Sequence, residues 1–448
     1  MTMKRILQCV LIGFLLIFAS CKKDDTRVFS ESADVRVQQA LNNFQTTLGS
    51  ATDGWIATIA TKEGGGYSFW MQFDDQNRVK MLSDFDSVTT VDVSEASFRL
   101  KALQQPTLIF DTYSYIHLLA DPNGRVNGGS NGTGLVSDFE FYLTDSALEK
   151  INKDPQSITD LNLIGRYNET VLKLKKATTA EKTAYLNRGL YSSIEQILLY
   201  QIDHPFVYLK DNAGKVYQVT ADPATKKLTL TWVDEDKATY KSCDFAFSLY
   251  GMEVLDSLAF NEALISRITF DKKETKLVAQ LDNGSIADVL VSDRPIIPAY
   301  VALGATFSTI DLPVGSNYAG WSSDFNSRFQ KVKANFAATG RTIQNADFVF
   351  NVDAKTMDFV VLYLSGTTLF NATFSYNYTM TSDGVFKFNL NTMNGNADLH
   401  EDKFNPILAD RLNKDTFHLD YYVDDNNRIL VSFTSVEHPD FVFTGITQ

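Results

Sequence analysis

The chain has 448 residues, a formal net charge of −13 and a hydrophobic content of 44%. Such acidity repels phosphate backbones, so no nucleic-acid partner is expected. The apolar content argues against a disordered stalk, and the length suits two or three domains.

Lys4 and Arg5 open the chain, Ile6 to Phe18 is an apolar run too short to span a bilayer, and Ala19-Ser20 sets small residues before Cys21. This layout resembles a bacterial lipobox, in which the thiol is lipidated and the chain is cut just ahead of it. The resemblance implies a signal peptide at 1–20, a lipidated Cys21 and a tether at 21–30. A plain signal peptide with a coincidental cysteine is the alternative. Two acyl chains give stable anchoring, so the membrane itself is the first expected partner. Lys22-Lys23-Asp24-Asp25 resembles the surface-export signal of Bacteroidota lipoproteins, which implies the outer face of the outer membrane. Once Cys21 is acylated, only Cys243 remains in the mature chain. No intrachain disulfide can form, and Cys243 reads as a small buried apolar residue.

Val37, Leu41, Phe44 and Leu48 fall on one stripe of a helix that Ser32 or Asp34 could cap. Strand-like sequence follows, with hairpin turns at Asp74-Asp75-Gln76-Asn77, Asp211-Asn212-Ala213-Gly214, Asp282-Asn283-Gly284 and Asp424-Asp425-Asn426-Asn427. Phe325, Phe329, Val332 and Phe336 repeat the helical spacing after Ser322-Ser323-Asp324, and strands follow again. This reads as a weak internal duplication, one helix laid on one meander, twice. Phe370, Ala372, Phe374, Tyr376, Tyr378 and Met380 alternate with polar residues, as do Phe386, Phe388 and Leu390. The fold class expected is mainly β (α+β): antiparallel meander sheets, each packed by an amphipathic helix. Arg294-Pro295-Ile296-Ile297-Pro298 marks a break between an N-terminal part, 31–297, and a C-terminal domain, 298–448. The N-terminal part is one domain or two, with a soft boundary near 155–190, where Asp154-Pro155 and a charged, partly helical stretch from Val171 to Arg188 lie.

Residues 106–122 carry the best constellation for binding. On a strand, Asp111, Tyr113, Tyr115 and His117 share one face. An acid, two phenols and an imidazole in a row could grip a glycan or peptide, with Trp55 or Trp70 beside them. The competing reading is a half-exposed sheet face, where tyrosine fits by propensity. The glycine-rich stretch from Gly124 to Gly134 lacks a phosphate-loop ending and reads as a mobile surface loop.

Other signatures are thin. His400-Glu401-Asp402 lacks the second histidine of a zinc protease, and no Gly-x-Ser-x-Gly elbow occurs. Asp84/Asp86, Asp234-Glu235-Asp236 and Asp424/Asp425 have no calcium-loop spacing and read as solvated turns. His418, Asp420 and Tyr422 read as a wet sheet face. No metal or cofactor is implied. Asp86-Ser87-Val88, Asp145-Ser146-Ala147 and Asp256-Ser257-Leu258 resemble short O-glycosylation sites of exported Bacteroidota proteins, which would modify Ser87, Ser146 and Ser257.

The segments Asp53-Gly54-Trp55, Gly64-Gly65-Gly66-Tyr67, Asn77-Arg78-Val79-Lys80-Met81, the run from Phe110 to Pro122 and Gly134-Leu135-Val136-Ser137-Asp138-Phe139-Glu140-Phe141 resemble an uncharacterised family of Bacteroidota outer-membrane lipoproteins, catalogued only as a domain of unknown function. The resemblance implies location and company, since such lipoproteins accompany outer-membrane nutrient importers. It carries over no catalytic residue. The function expected is a surface-anchored, non-enzymatic binding or accessory lipoprotein of nutrient capture. The alternatives are an extracellular hydrolase with an unrecognised carboxylate site and a structural, partner-docking lipoprotein.

Overall fold

A computed structural model describes residues 32–448 apart from Asp236 and Ser316. The leader, Cys21 and the Lys22–Asp25 tetrad lie outside the described residues. The fold is mainly antiparallel β, arranged as three barrel or sheet domains.

Ser32 accepts from the Val35 amide and starts α1 (Ala33–Gly49). Phe44 and Leu48 are buried at its C-terminal end, while Val37 at the other end is exposed. Strands β1 (Trp55–Ala60), β2 (Gly66–Phe73), β3 (Arg78–Ser83), β4 (Ser94–Ala102), β5 (Pro106–Phe110), β6 (Glu140–Leu143), β7 (Asp160–Gly165) and β8 (Val171–Lys176) follow in order. β8 pairs back onto β1, so the meander closes into a barrel. Closure leaves no free edge, and inward side chains such as Trp55, Phe69, Met71, Phe98 and Phe141 fill the interior.

Two helices, α2 (Thr179–Leu186) and α3 (Gly189–Asp203), lead into the second domain. Its strands begin with β9 (Val207–Lys210), β10 (Val216–Asp222), β11 (Lys227–Asp234) and β12 (Lys237–Ser248). They continue with β13 (Gly251–Val254), β14 (Ala259–Phe260), β15 (Ala263–Asp271), β16 (Lys276–Leu281), β17 (Ile286–Asp288) and β18 (Leu290–Val291). β17 pairs with β16 and β18 with β9, yet only Val289 separates β17 from β18. One short segment thus joins both edges of the sheet and closes it. Cys243 is buried here, and burial pushes its thiol up to about 12.

Residues 294–298 then run into a short helical turn, Ala299–Ala302, and the third domain, an eight-stranded closed barrel from β19 (Thr309–Asp311) to β26 (Val442–Thr447). Its helix, α4 (Ser323–Ala337), buries Phe325, Phe329, Val332 and Phe336 and is capped by Ser322. The alternation from Phe370 to Met380 holds over Ala372–Tyr378, while Phe370 and Met380 at the ends stay exposed. His418 and Asp420 are exposed on their strand. His400 is buried against the rings of Phe336 and Tyr363.

Three helix-and-meander units therefore replace the two read from sequence. The middle helix, α3, buries Leu190, Ile197 and Tyr200 on its own sheet. β2 is buried on both faces: Phe69 and Met71 point into the first core, whereas Trp70 joins the second. The first barrel and the second sheet are welded along this strand. Gly66 sits so close that a Cβ there would lie 2.6 Å from the Phe245 carbonyl oxygen.

Candidate functional site

The sequence-predicted face from Asp111 to His117 does not form as a strand. β5 stops at Phe110, and a helical turn, Tyr115–Leu118, begins after Ser114. The cause is local capping: the Ser114 amide donates to His117 Nδ1 at 3.2 Å, a geometry only a turn allows. Of the four side chains, only those of Tyr113 and His117 then stay together. Asp111 pairs with Arg99. Tyr113 is exposed and its hydroxyl donates to Asp121, while its ring stacks on His117 at 5.5 Å. His117 stacks in turn on Phe139 at 4.8 Å, and burial lowers its pKa. Tyr115 turns away and donates to the Asp92 carbonyl at 2.8 Å.

Neither tryptophan reaches this face. Trp55 fills the barrel interior with its indole N–H on the Leu48 carbonyl. Trp70 is buried toward the second domain and donates to the Asp53 carbonyl. The glycine-rich stretch is also not a loose loop. It folds on itself, with Gly134 at φ +60° and a Cβ there only 2.3 Å from the Asp121 carbonyl. Asn127 ties it to the Leu118 and Asp121 carbonyls. Ser87, Ser146 and Ser257 are all exposed. Ser146 lies in the first turn of the helix Asp145–Lys153, whose cap is Thr144.

What the fold assembles instead is a cleft at the seam of the first two domains. Phe85, Tyr191, Ile194, Leu199, Pro223 and Phe247 are among its lining residues, and its volume is about 390 Å³. Asp84 and Lys226 lie at its edge and are fully buried, with Lys226 Nζ 2.6 Å from Asp84 Oδ2. Asp84 is thus no solvated turn residue. It accepts from the Ser68 amide of the first barrel and the Phe247 amide of the second sheet, both at 2.7 Å. Lys226 also donates to the Asp84 carbonyl at 2.8 Å and lies 4.2 Å over the Tyr67 ring. Burial pushes the Asp84 carboxyl up and the Lys226 ammonium down, and each opposes the other's shift. A buried, perturbed charge pair beside an apolar concavity marks a functional candidate.

Tyr115 contributes to this cleft indirectly. Its anchor, Asp92, ends the loop whose start, from Asp84 to Thr90, forms one rim. Nothing near Asp84 in sequence signals its role, because Lys226 is 142 residues away. Asp424 likewise is buried, its carboxylate accepting from the Asn426 and Arg428 amides and from the Arg428 guanidinium. Among the described residues no group of three or more histidines, cysteines or acids could hold a metal ion.

The chain is thus a multi-domain antiparallel β protein with closed sheets and a cleft between its first two domains. Residues 25–272 match the family described as a domain of unknown function, DUF4302, and the chain belongs to that family. The match takes in the first barrel, the linking helices and the second sheet through β15, and hence every residue of the cleft. The third barrel lies outside it. No curated protein matches the chain.

Proposed function

We propose that this protein is a lipoprotein held through Cys21 on the outer face of the outer membrane, where it captures a ligand as a non-enzymatic component of nutrient import. The leader ending just ahead of Cys21 and the Lys22–Asp25 tetrad support the anchor. The resemblance to Bacteroidota lipoproteins supports the company of an importer. Ligand capture rests on the apolar cleft beside Asp84 and Lys226. Its volume falls within the roughly 300–1,000 Å³ of small-ligand pockets. Its phenylalanines and aliphatic side chains suit apolar side chains of a peptide better than a charged metabolite.

Two measurements test the reading. Labelled palmitate should enter the wild-type chain and not Cys21→Ser. An environment-sensitive apolar dye should bind the mature chain saturably, and Leu199→Asp, at an exposed position on the cleft wall, should weaken it about tenfold. Unchanged dye affinity in the folded variant removes the cleft from the account. Palmitate in the serine variant removes the anchor.

A further inference from the structure

We propose that a second groove along the same seam, more polar than the apolar cleft, binds an oligosaccharide independently of that cleft. The groove has a volume of about 360 Å³. One wall is the outer surface of the first barrel, where strand register sets side chains in two cross-strand rows. Thr58, Lys173 and Asn162 form one row, and Ile56, Lys175 and Asp160 the other. Neighbouring strands are about 4.8 Å apart, so each row offers hydrogen-bonding groups on the scale of one pyranose ring. Lys173 and Lys175 are exposed and belong to no ion pair among the described residues.

The facing wall comes from the second domain and is held in place before any ligand arrives. Arg267 is forked between Glu253 at 2.9 Å and Gln280 at 2.6 Å, and Glu253 also accepts from Ser248 at 2.8 Å. The Arg267 guanidinium lies 5.1 Å from the Tyr250 ring, and the Tyr250 hydroxyl donates to Glu181 at 3.1 Å. Half of Tyr250 is nonetheless open to solvent. Fixed side chains lower the ordering cost of binding.

The mixture of groups selects the ligand class. A simple anion would meet Asp160, Glu181 and Glu253; a simple cation would meet Lys173, Lys175 and Arg267. An apolar ligand would desolvate these charges and cover Lys173 and Lys175 without giving them partners. A chain of hydroxylated rings satisfies all of them: hydroxyls donate to carboxylates, accept from ammonium and guanidinium, and do both with Asn162. Its C–H faces can lie on Tyr250. An adjoining hollow of about 290 Å³ shares Thr58 and Lys173 with the groove, which extends it and favours an elongated ligand.

Calorimetric titration of the mature chain with maltohexaose, cellohexaose, xylohexaose and chitohexaose tests this. At least one should bind, Tyr250→Ala and Lys173→Ala should each weaken it about tenfold, and Leu199→Asp should leave it unchanged. Melting curves establish that each variant is folded, and Lys173, exposed on its strand, guards against a folding defect at Tyr250. Absence of binding across the four sugars, or binding that survives both substitutions, overturns the proposal and leaves the apolar cleft untouched. Saccharide binding lost only in Leu199→Asp would overturn it too, by moving the sugar to that cleft.

Discussion

Lys226 and Asp84 show why a buried charge pair is a constraint on architecture more than a source of stability. Taking two charges out of water costs several kcal/mol per ion, and their attraction repays this only when the remaining hydrogen-bonding capacity is met. Here it is met from both domains, by the Ser68 and Phe247 amides on the carboxylate. Lys226→Met should therefore cost about 3–5 kcal/mol at neutral pH, because it leaves the carboxylate buried without its counter-ion. The deficit has a pH signature. A carboxyl whose folded pKa is raised is penalised above that value and relieved as pH falls toward the ordinary carboxylate range. The gap between wild type and Lys226→Met, measured by urea unfolding across pH 4–7, should narrow on acidification. A constant gap would mean that the substitution acts through packing alone.

Helices and strands were legible in the sequence where one face is wet and the other dry. Phe325, Phe329, Val332 and Phe336 stand out by spacing, and all four are buried. α3 carries the same signal at Leu190, Ile194 and Ile197, but Leu198, Leu199 and Ile202 follow these positions closely and blur it. Leu199 is 56% and Ile202 68% exposed, so the helix is apolar on both faces for two reasons: one covers its sheet, the other faces the cleft and solvent. The site was hidden for related causes. β2 is buried on both sides and shows no alternation, and the run from Asp111 to His117 has strand composition but turn chemistry. Asp84 finds its partners through a seam that local patterning cannot reveal. The buried face of α3 is itself testable. Ile197→Ala should cost about 2–4 kcal/mol in urea unfolding, as large-to-small core changes do. Leu199→Ala should stay within about 0.5 kcal/mol of wild type. Equal effects would mean that α3 is not seated as described.

The three domains are joined unequally. The first barrel and the second sheet share a core through Trp70 and Leu82, a buried ion pair and the close approach at Gly66. The third barrel has its own core cluster, against which Ala238 is the only packed hydrophobic residue from the second domain among the described residues. The Ile296 amide on Gln218, at 2.9 Å, holds the linker, and among the described residues no ion pair joins 32–291 to 299–448. Cooperativity follows shared burial, so the first two domains should unfold together and the third apart from them. A chain ending at residue 297 should fold, keep the apolar cleft and retain the melting transition that the first two domains show in the full protein. A chain ending at residue 188 should not reach a stable fold, because it would bare Trp70 and Leu82 and leave Asp84 without Lys226. Scanning calorimetry of the full chain should accordingly resolve two transitions, and the one belonging to the third barrel should vanish in the fragment 26–297. A single transition, or loss of the remaining one on truncation, would show that the third barrel is part of the same folding unit as the cleft.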